Sequence, residues 1–503
     1  MNSSKPVADI TLLLEGTYPY MTGGVSHWVH QLISGLPQFT FSLVFLGSTK
    51  DSYAGMRFTL PSNVTHLQSL FLWESNEFGS PRACSGDREY FGAISRLHEW
   101  FRFPQDGMDR SLTKKILLAL ANPNGTAVKD FLFSEASWDF ICERYSCSSK
   151  NRSEFTDYFW TVRLTHAPLL KLAQGATSIP PTRAIHSVSN GYAGFLGTVL
   201  HHLTGRPFVL TEHGIYAKER KIDLQCVYIQ EHQDYLNDPP LEGMKDHHFL
   251  WIRHFEALSR FVYSAANPIL SCHGGNRRRQ IREGAERERT RVIPNGINLK
   301  LYIPLRAKRP AKIPLVLGLI GRMVPIKDIK TFIRAMRAVA TQLPAAEGWL
   351  IGPEDEDPKY GQECKQLVAN LGLENNVRFL GFQDLDVIFP QLGLLVLTSI
   401  SEAFPLVLLE AFATGLPVLT TDVGACREII EGNTQEDKAL GCAGSVVPIA
   451  NPEATANAAL ALLADEKRWL AAQRAAIARV ERYYSELGFL ESYGEVYQTA
   501  VEF

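Results

Sequence analysis

Long hydrophobic runs are missing from this 503-residue sequence, in which no uninterrupted apolar stretch reaches the roughly 18 residues that suggest a membrane-spanning helix. The opening residues hold a short apolar run that ends at Glu15. They lack the charged front, long apolar centre and small-residue cleavage site of a secretory signal. The sequence therefore predicts a cytoplasmic protein without a transmembrane segment.

Cysteine and net charge are also scarce. The 8 cysteines are irregularly spaced and form no C-x-x-C pair, which argues against a disulfide scaffold and a structural zinc site. The 51 Lys and Arg residues nearly balance the 53 Asp and Glu residues, so nothing in the net charge suggests nucleic-acid binding. A 45% share of apolar residues is ordinary for a globular chain, and the length predicts two or more domains.

The first part of the chain opens with a strand, a loop, a helix and a second strand. Apolar runs at Asp9–Leu14 and Phe41–Leu46 predict the strands, and helical periodicity predicts a helix over Ser26–Leu36. Residues from about 50 to 165 break this rhythm and are predicted to form a helical insertion. The strands predicted after the insertion are Arg183–Val188, Phe208–Thr211, Pro268–Ser271 and Arg291–Ile293.

A basic, proline-containing segment at 304–314 is the predicted linker. Beyond it, apolar strands alternate regularly with helices, as in a doubly wound parallel sheet. The chain is thus predicted to be an α/β protein with two Rossmann-like domains, at 1–303 and 304–480. A terminal helix at 481–503 is predicted to pack back on the first domain. The predicted strands of the second domain are Pro314–Ile320, Gly348–Ile351, Val377–Leu380, Leu394–Thr398, Pro417–Thr420 and Ser445–Val447.

The most specific motif follows the predicted strand Leu394–Thr398. Glu402 and Glu410 stand with seven residues between them, and Pro405 suits the first turn of a helix because its missing N–H is not needed there. We expect Glu402 in the loop and Glu410 two turns into the helix. Free amides at the helix start favour an anionic ligand such as a diphosphate.

A second motif follows the strand Pro314–Ile320, where Arg322 and Lys327 lie five positions apart in one loop. An Arg fork and a compact Lys charge can together neutralise a diphosphate. A solvated basic turn is the plain alternative. Both this loop and the two-glutamate motif fall on the same predicted sheet edge, which favours a shared ligand.

Two weaker signals lie in the first domain. Gly23 and Gly24 separate the first strand from the first helix and would let the backbone approach a ligand closely. They do not form G-x-G-x-x-G, so a dinucleotide site is not predicted. His213 and His186 end strands of this domain and are candidates for a site, although a lone histidine is more often structural.

Together with Pro294–Asn298, these motifs resemble those of family 4 retaining glycosyltransferases of GT-B fold, in which two Rossmann-like domains face a cleft. The resemblance covers the C-terminal domain and most of the N-terminal one. The segments LLEGTYPYMTGGVSHWVHQLI, TEHGIYAKERKID and GNRRRQIREGA are more particular. They resemble the cytosolic glycosyltransferases of Pel exopolysaccharide biosynthesis, as does the helical insertion.

The resemblance implies a UDP-sugar as donor substrate, either UDP-glucose or a UDP-N-acetylhexosamine, with no separate cofactor and no metal. Arg322 and Lys327 would hold the diphosphate, Glu410 the ribose and Glu402 the transferred sugar. His213 would line the sugar pocket, and the loop containing Phe382 would lie near the base. The other residues that the resemblance places around the nucleotide sugar are Gly23, Gly24, Asn295, Phe404, Leu406 and Val407.

The implied activity is that of a retaining hexosyltransferase that extends an exopolysaccharide acceptor, with inner-membrane Pel synthase subunits as partners. Two alternatives stay open: a regulatory protein that binds UDP-sugar without turnover, and a UDP-sugar epimerase of similar fold. The acidic run Glu354–Asp357 contains a D-x-D pattern, which we interpret as a solvated loop and not a metal site. Many relatives have Gly where this chain has Ala403, so a positive φ at that position would strain the loop.

Overall fold

The computed structural model describes residues 7–53, 55–74, 84–104, 110–121, 127–147, 153–231 and 246–502. Parts of the predicted insertion, at 54, 75–83, 105–109, 122–126 and 148–152, lie outside the described residues. The chain divides into two compact units. The first comprises Met1–Ser271, Arg277–Arg291 and Tyr493–Phe503, and the second comprises Cys272–Asn276 and Val292–Ser492. Among the described helices, none combines the length and apolar character needed to cross a membrane.

The first unit is built on a seven-stranded sheet in the order β3-β2-β1-β4-β5-β6-β7. Strand β1 pairs in parallel with β2 on one side and with β4 on the other, so the chain order reverses beside β1. The strands are apolar because helices cover both faces of such a sheet. Their bounds are β1 Ala8–Glu15, β2 Phe41–Gly47, β3 Val64–Phe71, β4 Thr182–Ser187, β5 Phe208–Glu212, β6 Ile269–Ser271 and β7 Thr290–Val292.

The prediction that 50–165 is wholly a helical insertion is wrong in one respect, because β3 lies within it and forms the edge of the sheet. This strand reads VTHLQSLF, in which polar residues interrupt the apolar ones, so it has no continuous apolar run to reveal it. Five of the described helices, α2 to α6, separate β3 from β4. The described helices of this unit are α1 Gly24–Gly35, α2 Arg88–Arg102, α3 Arg110–Leu120, α4 Ala127–Phe133, α5 Glu135–Ser146, α6 Phe155–Gly175, α7 Gly191–Thr204, α8 Tyr216–Glu231, α9 Asp246–Ala265 and α10 Gly274–Arg282.

The second unit is built on a six-stranded sheet in the order β10-β9-β8-β11-β12-β13, and the chain order reverses between β8 and β11. All six predicted strands are present, and their ends agree with the prediction to within two residues because each is a clear apolar run. Their bounds are β8 Val316–Ile320, β9 Glu347–Ile351, β10 Val377–Gly381, β11 Leu394–Leu397, β12 Val418–Thr421 and β13 Gly444–Val447.

The helices of the second unit cover both faces of its sheet, and apolar clusters of buried residues lie beneath them. The tail from Pro452 is helical, as predicted. The helices are α11 Leu299–Tyr302, α12 Ile329–Gln342, α13 Pro358–Asn370, α14 Leu385–Ile388, α15 Leu406–Ala413, α16 Cys426–Glu431, α17 Gln435–Lys438, α18 Pro452–Leu463, α19 Glu466–Tyr483 and α20 Glu486–Glu502, the last of which ends within the first unit.

The basic segment 304–314, predicted to be a linker, packs on the second unit. Arg306 donates to the Ala413 carbonyl (2.7 Å) and pairs with Glu481 (2.6 Å). Arg309 donates to the carbonyls of Phe389 and Leu392. Two of the basic residues that suggested a linker thus bind backbone carbonyls of this unit. The division between the units falls earlier, at 291/292.

Candidate functional site

Two loops leave the carboxyl ends of β8 and β11, where the order of the second sheet reverses. The Ile400 N–H donates to the Ile326 carbonyl (2.8 Å), and the Thr398 hydroxyl lies 3.0 Å from the carbonyls of Lys327 and Asp328. Ligands of open parallel sheets bind at such reversals. The structure therefore joins the two loops that the sequence analysis singled out separately.

Lys327 and Glu402 form an ion pair between these loops. The Lys327 Nζ lies 2.5 Å from the Glu402 Oε1, and the two side chains are only 18% and 15% exposed. The Ser399 hydroxyl donates to the same carboxylate oxygen at 2.7 Å. The sequence analysis assigned Lys327 and Glu402 to different parts of a ligand and did not foresee this pair, since residues 75 positions apart meet only through the sheet topology.

Arg322 is placed differently. Its guanidinium is 57% exposed and pairs with Glu356, 2.6 Å away, in the loop after β9. Arg322 and Lys327 thus have different carboxylate partners, although they lie in one loop. Each of these two cations is thus paired with a carboxylate in the structure.

The acidic run at 354–357 is tied to neighbouring protein groups. Glu354 pairs with Lys365 at 2.6 Å, and Glu356 pairs with Arg322. Asp357 caps helix α13 by accepting from the Tyr360 N–H at 3.0 Å. Within the described ranges, no cluster of three or more His, Cys, Asp or Glu side chains is arranged to hold a metal ion. The run thus lies in a loop whose acidic side chains contact protein groups, and the absence of a metal there stays a prediction.

Helix α15 begins at Leu406, with Pro405 in the preceding cap position. The first N–H groups of a helix have no partner within it, so the amides of Leu406 and Val407 are suited to an anion. Ala403 does not adopt a positive φ, so alanine in place of glycine introduces no backbone strain there. Gly424 packs against the same loop, because a Cβ at that position would lie 2.1 Å from the Glu402 carbonyl oxygen.

Glu410 is the fifth residue of α15, which corrects the prediction that it lies two turns into the helix. It is hydrogen-bonded to Tyr302, at the end of α11, a partner that the sequence analysis missed. Burial raises the pKa of the Glu410 carboxyl above its ordinary value, and the Tyr302 hydrogen bond partly offsets this rise. Burial together with the Glu410 charge also raises the pKa of Tyr302, so the phenol stays protonated and can donate.

Two aromatic side chains in the loops after β10 and β11 differ in their exposure. Phe382 is 86% exposed, in the loop that follows β10 after Gly381, whose φ is +64°. Such an exposed ring offers a stacking face for a nucleobase. Phe404 is partly buried, and its ring lies 6.0 Å from that of Tyr484. The predicted contacts of both side chains with nucleotide sugar stay predictions.

Asn295 lies in a segment that the fold itself explains. Ile297, two residues further on, donates its N–H to the Tyr484 carbonyl and accepts from the Glu486 N–H, where α19 passes into α20. A Cβ at Gly296 would come within 2.4 Å of the Ser485 carbonyl oxygen, so glycine is needed there for packing. Asn295 itself is buried, and its ligand role stays a prediction.

In the first unit, Gly23 and Gly24 lie at the start of α1, after β1. A Cβ added at either position would meet no atom within 4 Å. Packing within the unit therefore does not require glycine at these two positions, which leaves room for a ligand to approach the backbone.

His213 and His186 have different surroundings. The His213 ring packs edge-on against Trp28, with 4.7 Å between the ring centroids. Burial lowers the pKa of His213 to about 4, so the imidazole is neutral near pH 7. His186 is fully buried and bonds Tyr497 at 2.7 Å and Thr211 at 2.9 Å. These two bonds give His186 a structural role, which is the more common role of a lone histidine.

Glu15 was missed as a candidate, although an acidic residue that ends an apolar strand is a visible signal. Its carboxylate accepts from the Ala193 N–H at 3.1 Å and from the Tyr216 hydroxyl at 3.0 Å. Burial raises the pKa of Glu15. The side chain lies beside the order reversal of the first sheet, because β1 and β4 are neighbours there.

Glu212 ends β5 in the same way and is only 1% exposed. Its Oε2 accepts from the Tyr263 hydroxyl at 2.7 Å and from the Gln280 amide at 3.0 Å. Burial is the largest cause of a rise in the pKa of Glu212 to about 7. This carboxyl therefore titrates near neutral pH inside the first unit.

Two parallel sheets of this kind, each with a reversal of the chain order, are characteristic of the GT-B fold. Residues 8–288 match the family described as a domain of unknown function, DUF3492. Because that match spans more than half of the chain, the protein belongs to the DUF3492 family. Residues 314–465 match the family glycosyl transferases group 1, which thus covers most of the second unit.

Curated relatives match part of the chain. The lipopolysaccharide core biosynthesis mannosyltransferase LpsB of Rhizobium meliloti is 31% identical over 206 residues, which cover 39% of this chain and 56% of the relative. The D-inositol 3-phosphate glycosyltransferase of Nocardia farcinica is 30% identical over 225 residues, covering 42% of this chain and 48% of the relative. The chain spans about half the length of these curated relatives.

Solved structures share the fold over nearly the whole chain. Anabaena HepE, solved in complex with UDP, is similar with a TM-score of 0.58 and 16% identity, over 98% of this chain and 100% of HepE. The sucrose-phosphate synthase of Thermosynechococcus elongatus has a TM-score of 0.56 and 18% identity, over 98% of each chain. The prediction of a GT-B fold is confirmed.

Proposed function

We propose that this protein is a UDP-sugar-dependent retaining hexosyltransferase that extends an exopolysaccharide chain without a metal ion. The observation that carries the proposal is the meeting of Lys327 and Glu402 at the order reversal of the second sheet, next to the first turn of α15. A cation, a carboxylate and free helix amides at this point suit a sugar diphosphate, which has a double negative charge at one end and hydroxyls at the other.

The diphosphate is held by Lys327, Arg322 and the amides of Leu406 and Val407. When it binds, its oxygens replace the carboxylates that hold the two cations in the free protein, Glu402 on Lys327 and Glu356 on Arg322. Glu402 is then released to accept hydrogen bonds from hydroxyls of the transferred sugar. Binding of the diphosphate therefore also releases Glu402, the residue that contacts the transferred sugar.

The nucleoside part of the donor binds at Glu410 and Phe382. Glu410 accepts from the ribose hydroxyls, and the Tyr302 hydrogen bond orients its carboxylate for that task. The exposed Phe382 ring stacks on the base. Phe404 and Asn295 support the loops of the site. Glu402 and Glu410 therefore recognise opposite ends of one donor.

The chemistry follows from these placements. As the bond between the anomeric carbon and the phosphate breaks, charge grows on the leaving UDP, and Lys327 and Arg322 stabilise it. The leaving phosphate takes the proton of the attacking acceptor hydroxyl on the same face of the sugar, which retains the anomeric configuration. The roles predicted from the sequence for His213, Gly23 and Gly24, which belong to the first unit, stay predictions.

The similarities support this reading at a coarser level. The second unit matches glycosyl transferases group 1, LpsB is a mannosyltransferase, and HepE was solved with UDP-glucose. The Pel-type acceptor, the cytoplasmic location and recruitment to inner-membrane Pel synthase subunits rest on the N-terminal segments quoted above. The proposed donor is either UDP-glucose or a UDP-N-acetylhexosamine, as the resemblance implies.

The test measures UDP release from UDP-glucose and from UDP-N-acetylglucosamine, with and without oligosaccharide acceptors. Acceptor-dependent UDP release that is lost in Lys327→Ala supports the proposal. The matched control is Lys330→Ala. Lys330 lies three residues after Lys327 and pairs with Glu363 at the surface. Isomerised UDP-sugar without UDP release identifies an epimerase instead, and UDP-sugar binding without turnover identifies a regulatory protein.

A further inference from the structure

A charged cavity lies within the first unit, between helices α8, α9 and α10, and has no place in the proposed transfer reaction. Its volume is about 160 Å³, roughly ten times what one buried water needs. It includes part of the Arg-rich segment GNRRRQIREGA, to which the proposed function assigns no role. The lining residues are Ala217, Lys218, Lys221, Glu256, Arg260, Arg279, Arg282 and Glu283.

The cavity concentrates positive charge. Five of its lining side chains are cationic and two are carboxylates, an excess of three positive charges in a chain whose formal net charge is −2. Each of the three helices contributes two charged residues or more at a spacing that places them on one helical face. The positive excess comes from α8 and α10, whereas α9 contributes one carboxylate, Glu256, and one cation, Arg260.

Most of these cations form no direct ion pair among the residues that the structure describes. Arg279 pairs with Glu283, one residue beyond the end of α10. No described carboxylate lies within ion-pair distance of Lys218, Lys221, Arg260 or Arg282. Grouped cations without direct ion pairs repel one another, so an anion in the cavity relieves that repulsion.

The guanidinium groups are held by their surroundings. Arg260 packs across Gly284, where a Cβ would lie 3.5 Å from its Nη1 and where φ is +116°. Arg279 is anchored by its ion pair with Glu283. Groups ordered in advance lose less side-chain entropy when a ligand binds, which favours a site over a merely solvated surface.

We propose that this cavity binds a phosphoryl anion, either a phosphate monoester or a diphosphate, in addition to the diphosphate of the donor. Arginine forks match phosphoryl oxygens in pairs, and several converging cations favour a ligand with more than one negative charge. Two sources share this chemistry: the headgroup of a lipid and a soluble phosphorylated compound. The site belongs wholly to the first unit, whereas the proposed donor site belongs to the second.

Inorganic pyrophosphate is the first probe, titrated calorimetrically into the full chain at low salt, with and without saturating UDP. We expect saturable binding of pyrophosphate that persists with UDP present. Its affinity should fall about tenfold or more in Arg260→Gln/Arg282→Gln, because each charged hydrogen bond that is lost contributes substantially to the binding free energy. The matched control is Arg334→Gln/Arg337→Gln, a pair of exposed arginines on α12. Lys218→Gln/Lys221→Gln serves as a second cavity variant if the first does not fold.

Vesicles distinguish the two sources. Co-sedimentation with phosphatidylcholine vesicles that contain phosphatidic acid, compared with phosphatidylcholine alone, reports on lipid headgroups. Vesicle binding that depends on the cavity arginines assigns the site to a lipid, and pyrophosphate binding without vesicle binding assigns it to a soluble anion. Absence of both, or equal losses in the control pair, overturns the proposal. A failure to bind UDP leaves this test unaffected.

Discussion

Replacing Lys327 by alanine tests the proposed function most directly. In the free protein its Nζ lies 2.5 Å from the Glu402 carboxylate, so a ground-state diphosphate only exchanges one anionic partner for another. The net contribution of Lys327 to donor binding is therefore small. In the transition state the leaving phosphate carries more charge, and a preplaced cation there contributes roughly 2.7–4 kcal/mol, or about a hundredfold to a thousandfold in rate.

We expect Lys327→Ala to lower kcat by about that factor while KM for the UDP-sugar changes only a few-fold. Steady-state UDP release gives both constants, and Lys330→Ala should behave like the unaltered enzyme. The variant also leaves Glu402 without its cation. Because the pair is mostly buried, we expect a loss of about 1–3 kcal/mol in the free energy of unfolding, between the values for exposed and buried pairs. An unchanged kcat with a raised KM would refute the reasoning.

Four further outcomes are expected. Calorimetric titration of UDP should show weakened binding in Glu410→Ala and nearly intact binding in Glu402→Ala. Equal losses of UDP affinity would contradict the proposal that the two glutamates bind opposite ends of the donor. Transfer activity should survive excess chelator, and a loss restored by magnesium or manganese would overturn the metal-free mechanism and turn attention to the acidic run at 354–357. Gly24→Ala should leave the melting temperature nearly unchanged while lowering activity, because a Cβ there meets no protein atom; unchanged activity would remove Gly24 from the site. Glu212 has a pKa raised to about 7, so the folded state binds its proton more tightly than the unfolded state, and stability falls as pH rises from about 4.5 to 7, by on the order of 3 kcal/mol. Urea unfolding at both pH values should show a smaller decline for Glu212→Gln, and an equal decline would assign the pH dependence to other groups.

Much of the second unit could be read from the chain alone. Its strands are continuous apolar runs bounded by polar loops, a pattern that follows from burial on both faces of a parallel sheet. In contrast, β3 at the edge of the first sheet mixes polar and apolar residues, so its assignment as a strand depends on the pairing with β2. Segment 304–314 was misread for a related reason. The carbonyls that its arginines bind come from distant parts of the chain.

The site shows the same division. Local sequence was enough to choose Arg322, Lys327, Glu402 and Glu410, because charged residues directly after apolar strands must lie at the carboxyl edge of the sheet. Which charges meet is a matter of topology. Only the order reversal between β8 and β11 brings Lys327 to Glu402, while Arg322 pairs with a carboxylate in the loop after β9.

The sequence by itself thus determined the two α/β domains, the ends of their strands and the charged loops that follow those strands. These features depend on the chemical type of each residue and on its neighbours along the chain. Partners distant in sequence were decided by tertiary structure alone, such as Tyr302 for Glu410 and Tyr497 for His186. The physical reason is that burial and hydrogen-bonding depend on which surfaces the folded chain brings together, and those contacts set the pKa, the orientation and the role of each side chain.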